Sequence, residues 1–229
     1  MFIHNHPYPP YINYNTTKLI VGTLPPPRFS TGALLEQDVD FCYGSYHNSL
    51  WLFIDKIYNL NLRFDNSKAA ITQRKQFLNQ HKIGICDIVA SCEREKIDAS
   101  DLGMQNVKLR DLIGYIAQYP NINTLLFTGG NSKNGPEYFF RKQLKTYNLK
   151  LKLLNNEIPR LHEFKLPVIA SKTKLATQST RKIKTVSLTS PSGSANRAIG
   201  SIPLYKTLKA KNPKFTTFDF RVLQYQKFF

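Results

Sequence analysis

The sequence predicts an α/β fold, a three-layer α/β/α arrangement around a central, mainly parallel, four-stranded sheet. Two observations carry this. Short β-branched apolar runs alternate with longer segments whose apolar residues recur at helical spacing. Strands that alternate with helices pair in parallel and carry helices on both faces. The composition then fits one substantial core. The chain has 229 residues, 41% of them hydrophobic, with 15 Phe and 12 Tyr. That is enough for a single domain over residues 1–229. No internal repeat or interdomain linker interrupts it.

Residues 1–17, rich in Pro, Tyr and Asn, read as an extended arm. Residues 18–23 are a buried strand, closed by Gly22 and by Pro25, Pro26 and Pro27. Leu50, Phe53, Ile54 and Ile57 lie on one face of a helix over 48–60. A polar helix follows at 67–79, with Ser67 placed as its N-cap. Residues 82–89 read as a second strand, 109–118 as a helix stopped near Pro120, and 122–128 as a third strand ended by Gly129 and Gly130. Pro136 suits the first turn of a helix over 136–147. Residues 149–154 suggest a short extra strand, 165–184 a mobile basic loop, 185–189 a last strand and 199–210 a helix. In open α/β sheets the ligand site lies beyond the carboxyl ends of the strands. That rule singles out the loops 23–30, 87–98, 129–135 and 190–197.

The formal net charge is +17, from 32 Lys and Arg against 15 Asp and Glu. A composition bias toward Lys and Asn does not by itself double the basic residues over the acidic ones. Such a balance calls for a polyanion, and DNA is the expected partner. Three basic stretches are expected to track phosphates, among them the one carrying Lys172, Lys174, Arg181, Lys182 and Lys184. Cys42, Cys86 and Cys92 lack C-x-x-C spacing. The first residues lack the basic and apolar regions of a secretory leader, and no run has the apolar length of a membrane span. A monomeric, cytoplasmic protein without membrane contact is expected. The stretch from Gly129 to Gly135 lacks the Gly-Lys-Ser/Thr of a P-loop, and no G-x-S-x-G elbow exists. His4 and His6 sit in the arm without acidic or cysteine neighbours, so no metal and no cofactor are expected.

Four motifs then stand in order. The first joins the turn Gly22-Thr23-Leu24-Pro25 to Phe41-Cys42-Tyr43-Gly44-Ser45-Tyr46-His47-Asn48-Ser49-Leu50-Trp51. The second is Asp87-Ile88-Val89-Ala90-Ser91-Cys92-Glu93-Arg94, with Asp98 following. The third is Phe127-Thr128-Gly129-Gly130, and the fourth is Leu188-Thr189-Ser190-Pro191-Ser192-Gly193-Ser194-Ala195-Asn196. Together they resemble the uracil-DNA glycosylase superfamily, most closely its hypoxanthine-DNA-glycosylase-like branch. The resemblance spans residues 18–197 and implies a uracil-DNA-glycosylase-like fold. It also implies a monofunctional DNA glycosylase that flips a base out of DNA and hydrolyses its N-glycosidic bond.

The resemblance makes Asn48 the catalytic residue, an amide that holds water and contacts the base; its helix-start position equally suits an N-cap. Gly22, Thr23 and Leu24 would form the turn under the base. Other branches carry an acid or amide in that turn, and this chain carries Thr23 and Leu24. Tyr43 would stack on the flipped base, or else pack in the core. His47 would contact the departing base or a phosphate. Ser190, Ser192 and Asn196 would contact the substrate, and Ser194 and Arg197 the DNA backbone. Trp51 and Phe41 are expected to pack in the core. Asp87 would orient a neighbouring donor or cap a loop. The branch has Pro-Arg-Asn-x-Phe-Trp where this chain has Tyr46-His47-Asn48-Ser49-Leu50-Trp51, and its strand before Asp87 ends in Trp where Cys86 stands here. These differences leave the target base open among uracil, hypoxanthine and other modified bases. A base-recognition module that does not cut, and an enzyme acting on free nucleosides, remain open beside the glycosylase.

Overall fold

The computed structural model describes residues 1–167 and 179–229. In chain order the elements are β1 (Phe2–Asn5), β2 (Lys18–Val21), α1 (Pro27–Thr31), α2 (Leu50–Tyr58), α3 (Lys68–Gln80), β3 (Ile83–Ile85), β4 (Val89–Arg94), β5 (Gln105–Leu109), α4 (Leu112–Gln118), β6 (Thr124–Phe127), α5 (Pro136–Thr146), β7 (Lys152–Asn155), β8 (Arg160–Pro167), β9 (Thr180–Ser187), α6 (Asn196–Ser201), α7 (Pro203–Lys211) and α8 (Thr217–Gln226).

The main sheet runs in the order β3-β2-β6-β9-β8-β7. Its first four strands are parallel, as the alternation of strands and helices requires. The antiparallel strands β8 and β7 extend it. Successive side chains of the parallel strands enter opposite layers, because a strand has a two-residue period. Leu19, Val21, Leu125 and Phe127 pack with α4 and α5, while Ile20, Leu126 and Val186 pack with α2, α3 and α8. Both faces are therefore buried, and the strands read as continuous apolar runs.

Several segments depart from the sequence expectation. The arm is not free: β1 pairs with β4, and β4 with β5, in a separate three-stranded antiparallel sheet. The expected strand over 82–89 is split, with β3 ending at Ile85 and β4 starting at Val89. The ends of the expected loop 165–184 are strand, since Lys165 to Pro167 finish β8 and residues from Thr180 begin β9. Its middle, with Lys172 and Lys174, lies outside the described residues. In β8 the buried residues His162, Phe164 and Leu166 alternate with exposed or half-buried ones, a pattern masked by the basic composition. The helix expected over 199–210 is two helices, because Pro203 excludes the helical conformation at Ile202 and starts α7. α8 begins in a capping box between Thr216 and Asp219.

Candidate active site

The register sets the site. Val21 is abreast of Phe127, and Phe127 of Ser187, which in turn faces Arg160 of β8. The next residues, Gly22 and Thr128, therefore emerge side by side, with Asp87 beyond the end of β3. A cavity of about 870 Å³ opens over these ends.

Asp87 organises the floor. Its Oδ1 accepts from the Gly22 N–H and from the Tyr43 hydroxyl, both at 2.8 Å. His6 Nε2 lies 3.0 Å from Oδ2. His6 Nδ1 accepts from the Tyr8 N–H, so its proton sits on Nε2 and is donated to Asp87. The Tyr43 hydroxyl also lies 3.2 Å from Thr128 Oγ1. Burial, and then the Asp87 carboxylate, push this hydroxyl well above its ordinary pKa, so it remains a donor. Tyr43 has φ 58°, a region costly for an aromatic residue, and the fixed hydroxyl helps to hold it there. Gly22 is required by the same contacts: a Cβ there would collide with the Tyr43 hydroxyl and lie 2.8 Å from Asp87 Oδ1.

The segment from Tyr43 to Asn48 is held from behind. Asp38, with no exposed surface, takes both Arg28 Nε and Nη2 and the N–H groups of Leu35 and Tyr46. Arg28 also donates to Ser45 Oγ. Trp51 is buried and donates from Nε1 to the Cys42 carbonyl. Asn48 lines the cavity, and its Oδ1 accepts from the Leu50 N–H at 2.9 Å. The oxygen is thus turned to the first residue of α2, whose N-cap is Ser49 and not Asn48, and Nδ2 is the amide's donor.

Residues 189–192, 194 and 195 form the adjoining wall, and α8 fixes it. Arg221 donates from Nη1 to the carbonyls of Ser190 and Ser192, and from Nη2 to Asn196 Oδ1. Gln224 Oε1 accepts from Thr189 N and Oγ1, and the Tyr225 hydroxyl donates to the Thr189 carbonyl. Arg221, Gln224 and Tyr225 share one helical face and are buried. The Ser49 N–H donates to the Pro191 carbonyl, which ties this wall to the start of α2.

Across the strand ends, Asp101 Oδ1 accepts from the Thr23 hydroxyl at 2.8 Å. Burial raises the Asp101 pKa, and the Thr23 hydrogen bond opposes this. Farther along, Glu137 has no exposed surface and pairs with Arg141 through Oε1 and with Arg160 through Oε2. Its Oε2 also accepts from Ser187 Oγ at 2.6 Å. Burial alone would raise the Glu137 pKa, but Ser187, Arg141 and Arg160 outweigh it and hold the carboxyl below its ordinary value.

Gly22, Thr23, Leu24, Tyr43, His47, Asn48, Ser190, Ser192 and Ser194 therefore all line one cavity. Asn196 does not. Its side chain turns to α8, where Arg221 and Thr217 hold the amide oxygen. Arg197 is exposed on α6 beside the cavity rim. Lys182 and Lys184 are exposed in the first half of β9. At about 3.3 Å per residue they start about 16 and 10 Å from Ser187, on the side away from the strand ends. The sequence reading missed His6, Asp101, Glu137, Arg160 and the α8 clamp. His6 carried no local signal, because its partner is 81 residues away. The α8 clamp had one, the Thr216-x-x-Asp219 capping box.

No known family model and no curated protein matches the sequence. Among solved structures, the chain is similar to the solution structure of a candidate uracil DNA glycosylase from Methanosarcina acetivorans. The similarity has a TM-score of 0.53 at 17% identity and covers 96% of this chain and 99% of that one. The two share a uracil-DNA-glycosylase-like fold, a mostly parallel sheet flanked by helices. Among the described residues no helix is long and apolar enough to cross a membrane.

Proposed function

We propose that the protein is a monofunctional DNA glycosylase of the hypoxanthine-DNA-glycosylase-like branch, acting on DNA that contains uracil, hypoxanthine or a similar modified base. The observation that carries this is the amide of Asn48 on the cavity wall. Its oxygen is spent on Leu50, so it offers Nδ2–H to a cavity that also holds Tyr43 and the Gly22 turn. The net charge of +17 and the fold shared with a candidate uracil DNA glycosylase support DNA as the substrate.

In this reading DNA lies across the rim, with Arg197 and the serine-rich loop on phosphates. One nucleotide is extruded at a cost of a few kcal/mol, least where pairing is already weak. Tyr43 offers the base a rigid face. Asn48 Nδ2 donates to the departing base, where negative charge gathers in the transition state. Water oxygen bonds to the sugar C1′ and releases a proton to solvent as the C1′–N bond breaks, and the pair of electrons leaves with the base. The base regains a proton from solvent, and an abasic site remains.

The test uses duplex and single-stranded oligonucleotides carrying uracil, hypoxanthine or other altered bases. After incubation, alkali breaks any abasic site. Wild type is expected to release one class of base, and Asn48→Ala to release it roughly 10²–10³-fold more slowly. Undiminished release by Asn48→Ala would remove Asn48 from the chemistry. One feature favours a second reading, a base-recognition module that does not cut: the turn carries Thr23 and Leu24 where other branches carry an acid or amide. Salt-sensitive binding with no release from any oligonucleotide would select it.

A further inference from the structure

The cavity is electrically lopsided. At one end Asp87 and Asp101 flank the Gly22–Thr23 turn, through the Gly22 N–H and the Thr23 hydroxyl. At the other end stands Arg160. It is the one Lys or Arg side chain lining the cavity among the described residues, in a chain whose net charge is +17. Arg160 leans from β8 back toward the third-strand loop, its Nη2 lying 3.5 Å from where a Cβ on Gly130 would be. Its backbone stands three strands from β2, roughly 14 Å, and the lean of its side chain shortens that span toward the length of a nucleoside.

The mounting of Arg160 is rigid. Glu137, without exposed surface, holds Nη2 at 3.0 Å, while the Arg160 side chain stays 34% exposed. Glu137 is shared with Arg141, so this group of three charges carries one positive charge in excess. The serine-rich loop, 188–196, contains no His, Lys or Arg to meet a developing anion.

Glycosidic cleavage separates charge in one direction: the sugar becomes cation-like and the base becomes an anion. The polarity of the cavity matches that separation. We propose that Arg160 is the anion-receiving wall of the pocket, donating to the carbonyl edge of the flipped base and stabilising it as it departs. Asp87 and Asp101 lie on the side of the sugar. A guanidinium pairs best with a base that presents acceptors such as a keto oxygen, which sets the preferred substrate class as oxo-bases. This inference rests on the glycosylase reading and adds to it the group that carries the leaving charge.

The test compares wild type, Arg160→Met and Arg160→Lys by single-turnover release of uracil, of 5-fluorouracil and of hypoxanthine from otherwise identical oligonucleotides. Glu137 keeps Arg141 and Ser187 in each variant, so the carboxylate stays paired; circular dichroism checks the fold. The 5-fluorouracil anion is the more stable leaving group and needs less help. Arg160→Met is expected to slow uracil release roughly 10²-fold and 5-fluorouracil release markedly less, with partial recovery in Arg160→Lys. Equal slowing of both bases, or none, with wild type active, overturns the role of Arg160 alone. Wild type releasing no base from any substrate overturns this role and the glycosylase reading together.

Discussion

Replacing Asp87 by Asn tests whether the arm, the turn and Tyr43 depend on one carboxylate. Asp87 accepts from three donors: the Gly22 N–H, the Tyr43 hydroxyl and His6 Nε2–H. An asparagine presents one oxygen and one NH₂ group. With its oxygen toward Gly22 and Tyr43, its NH₂ meets the His6 proton. His6 cannot answer by moving that proton to Nδ1, which already accepts from Tyr8. With the amide reversed, the NH₂ meets the Gly22 N–H instead. Either way one buried donor is left without an acceptor, at about 1–3 kcal/mol, and the surviving hydrogen bonds lose their charge assistance. We expect Asp87→Asn to destabilise the protein by about 3 kcal/mol in urea unfolding at neutral pH, with an unchanged slope. If the clash with His6 causes much of this, the same substitution made in His6→Leu costs less, by roughly 1–2 kcal/mol in a double-mutant cycle. An Asp87→Asn midpoint equal to wild type, or a cycle with no coupling, would refute the reasoning.

Other consequences follow from the supports of the site. Arg221→Met leaves the Ser190 carbonyl without its donor, and leaves the Ser192 carbonyl and Asn196 Oδ1 with one each, from the Ala195 N–H and the Thr217 hydroxyl; it should cost about 1–3 kcal/mol in urea and slow base release beyond what stability explains. Asp38→Asn should cost about 3 kcal/mol at pH 7, because Arg28 loses its partner. Burial raises the Asp38 pKa, but Arg28 and the N–H groups of Tyr46 and Leu35 outweigh it and hold the folded value low. The stabilisation is therefore complete above the unfolded pKa of about 3.9 and lost as pH falls through the folded value. The gap between wild type and Asp38→Asn should close below about pH 4, and a gap constant down to pH 2 would show that the carboxylate charge is not its source. For DNA binding, Arg197→Ala should reduce the dependence of log affinity on log salt by about 1, while Lys184→Ala, distant from the cavity, should leave it unchanged. The reverse result would place the duplex along the sheet rather than across its strand ends.

The sequence alone determined the parallel sheet and its site-bearing end. Apolar runs such as 18–21 and 124–127, each stopped by Gly or Pro, can fold only as strands buried on both faces, and their loops must then gather at one edge. The cavity segments carrying Tyr43, Asn48 and the serines were legible because each lies beside a local punctuation: a Gly-Pro turn, a helix start or a Ser-rich loop. Only the tertiary structure decided which polar groups meet there. Asn196 looked like a substrate contact by its place in a motif and proved to be bound to Arg221, from a helix that begins 21 residues later. The turn lacks an acid in sequence, yet two carboxylates reach it in space, from Asp87 and Asp101. His6 arrives through the pairing of β1 with β4, and Arg160 through an antiparallel strand hidden by basic composition. Periodicity and punctuation are local and can be read along the chain. Hydrogen-bond partnership depends on register between strands far apart in sequence, and no local pattern encodes it.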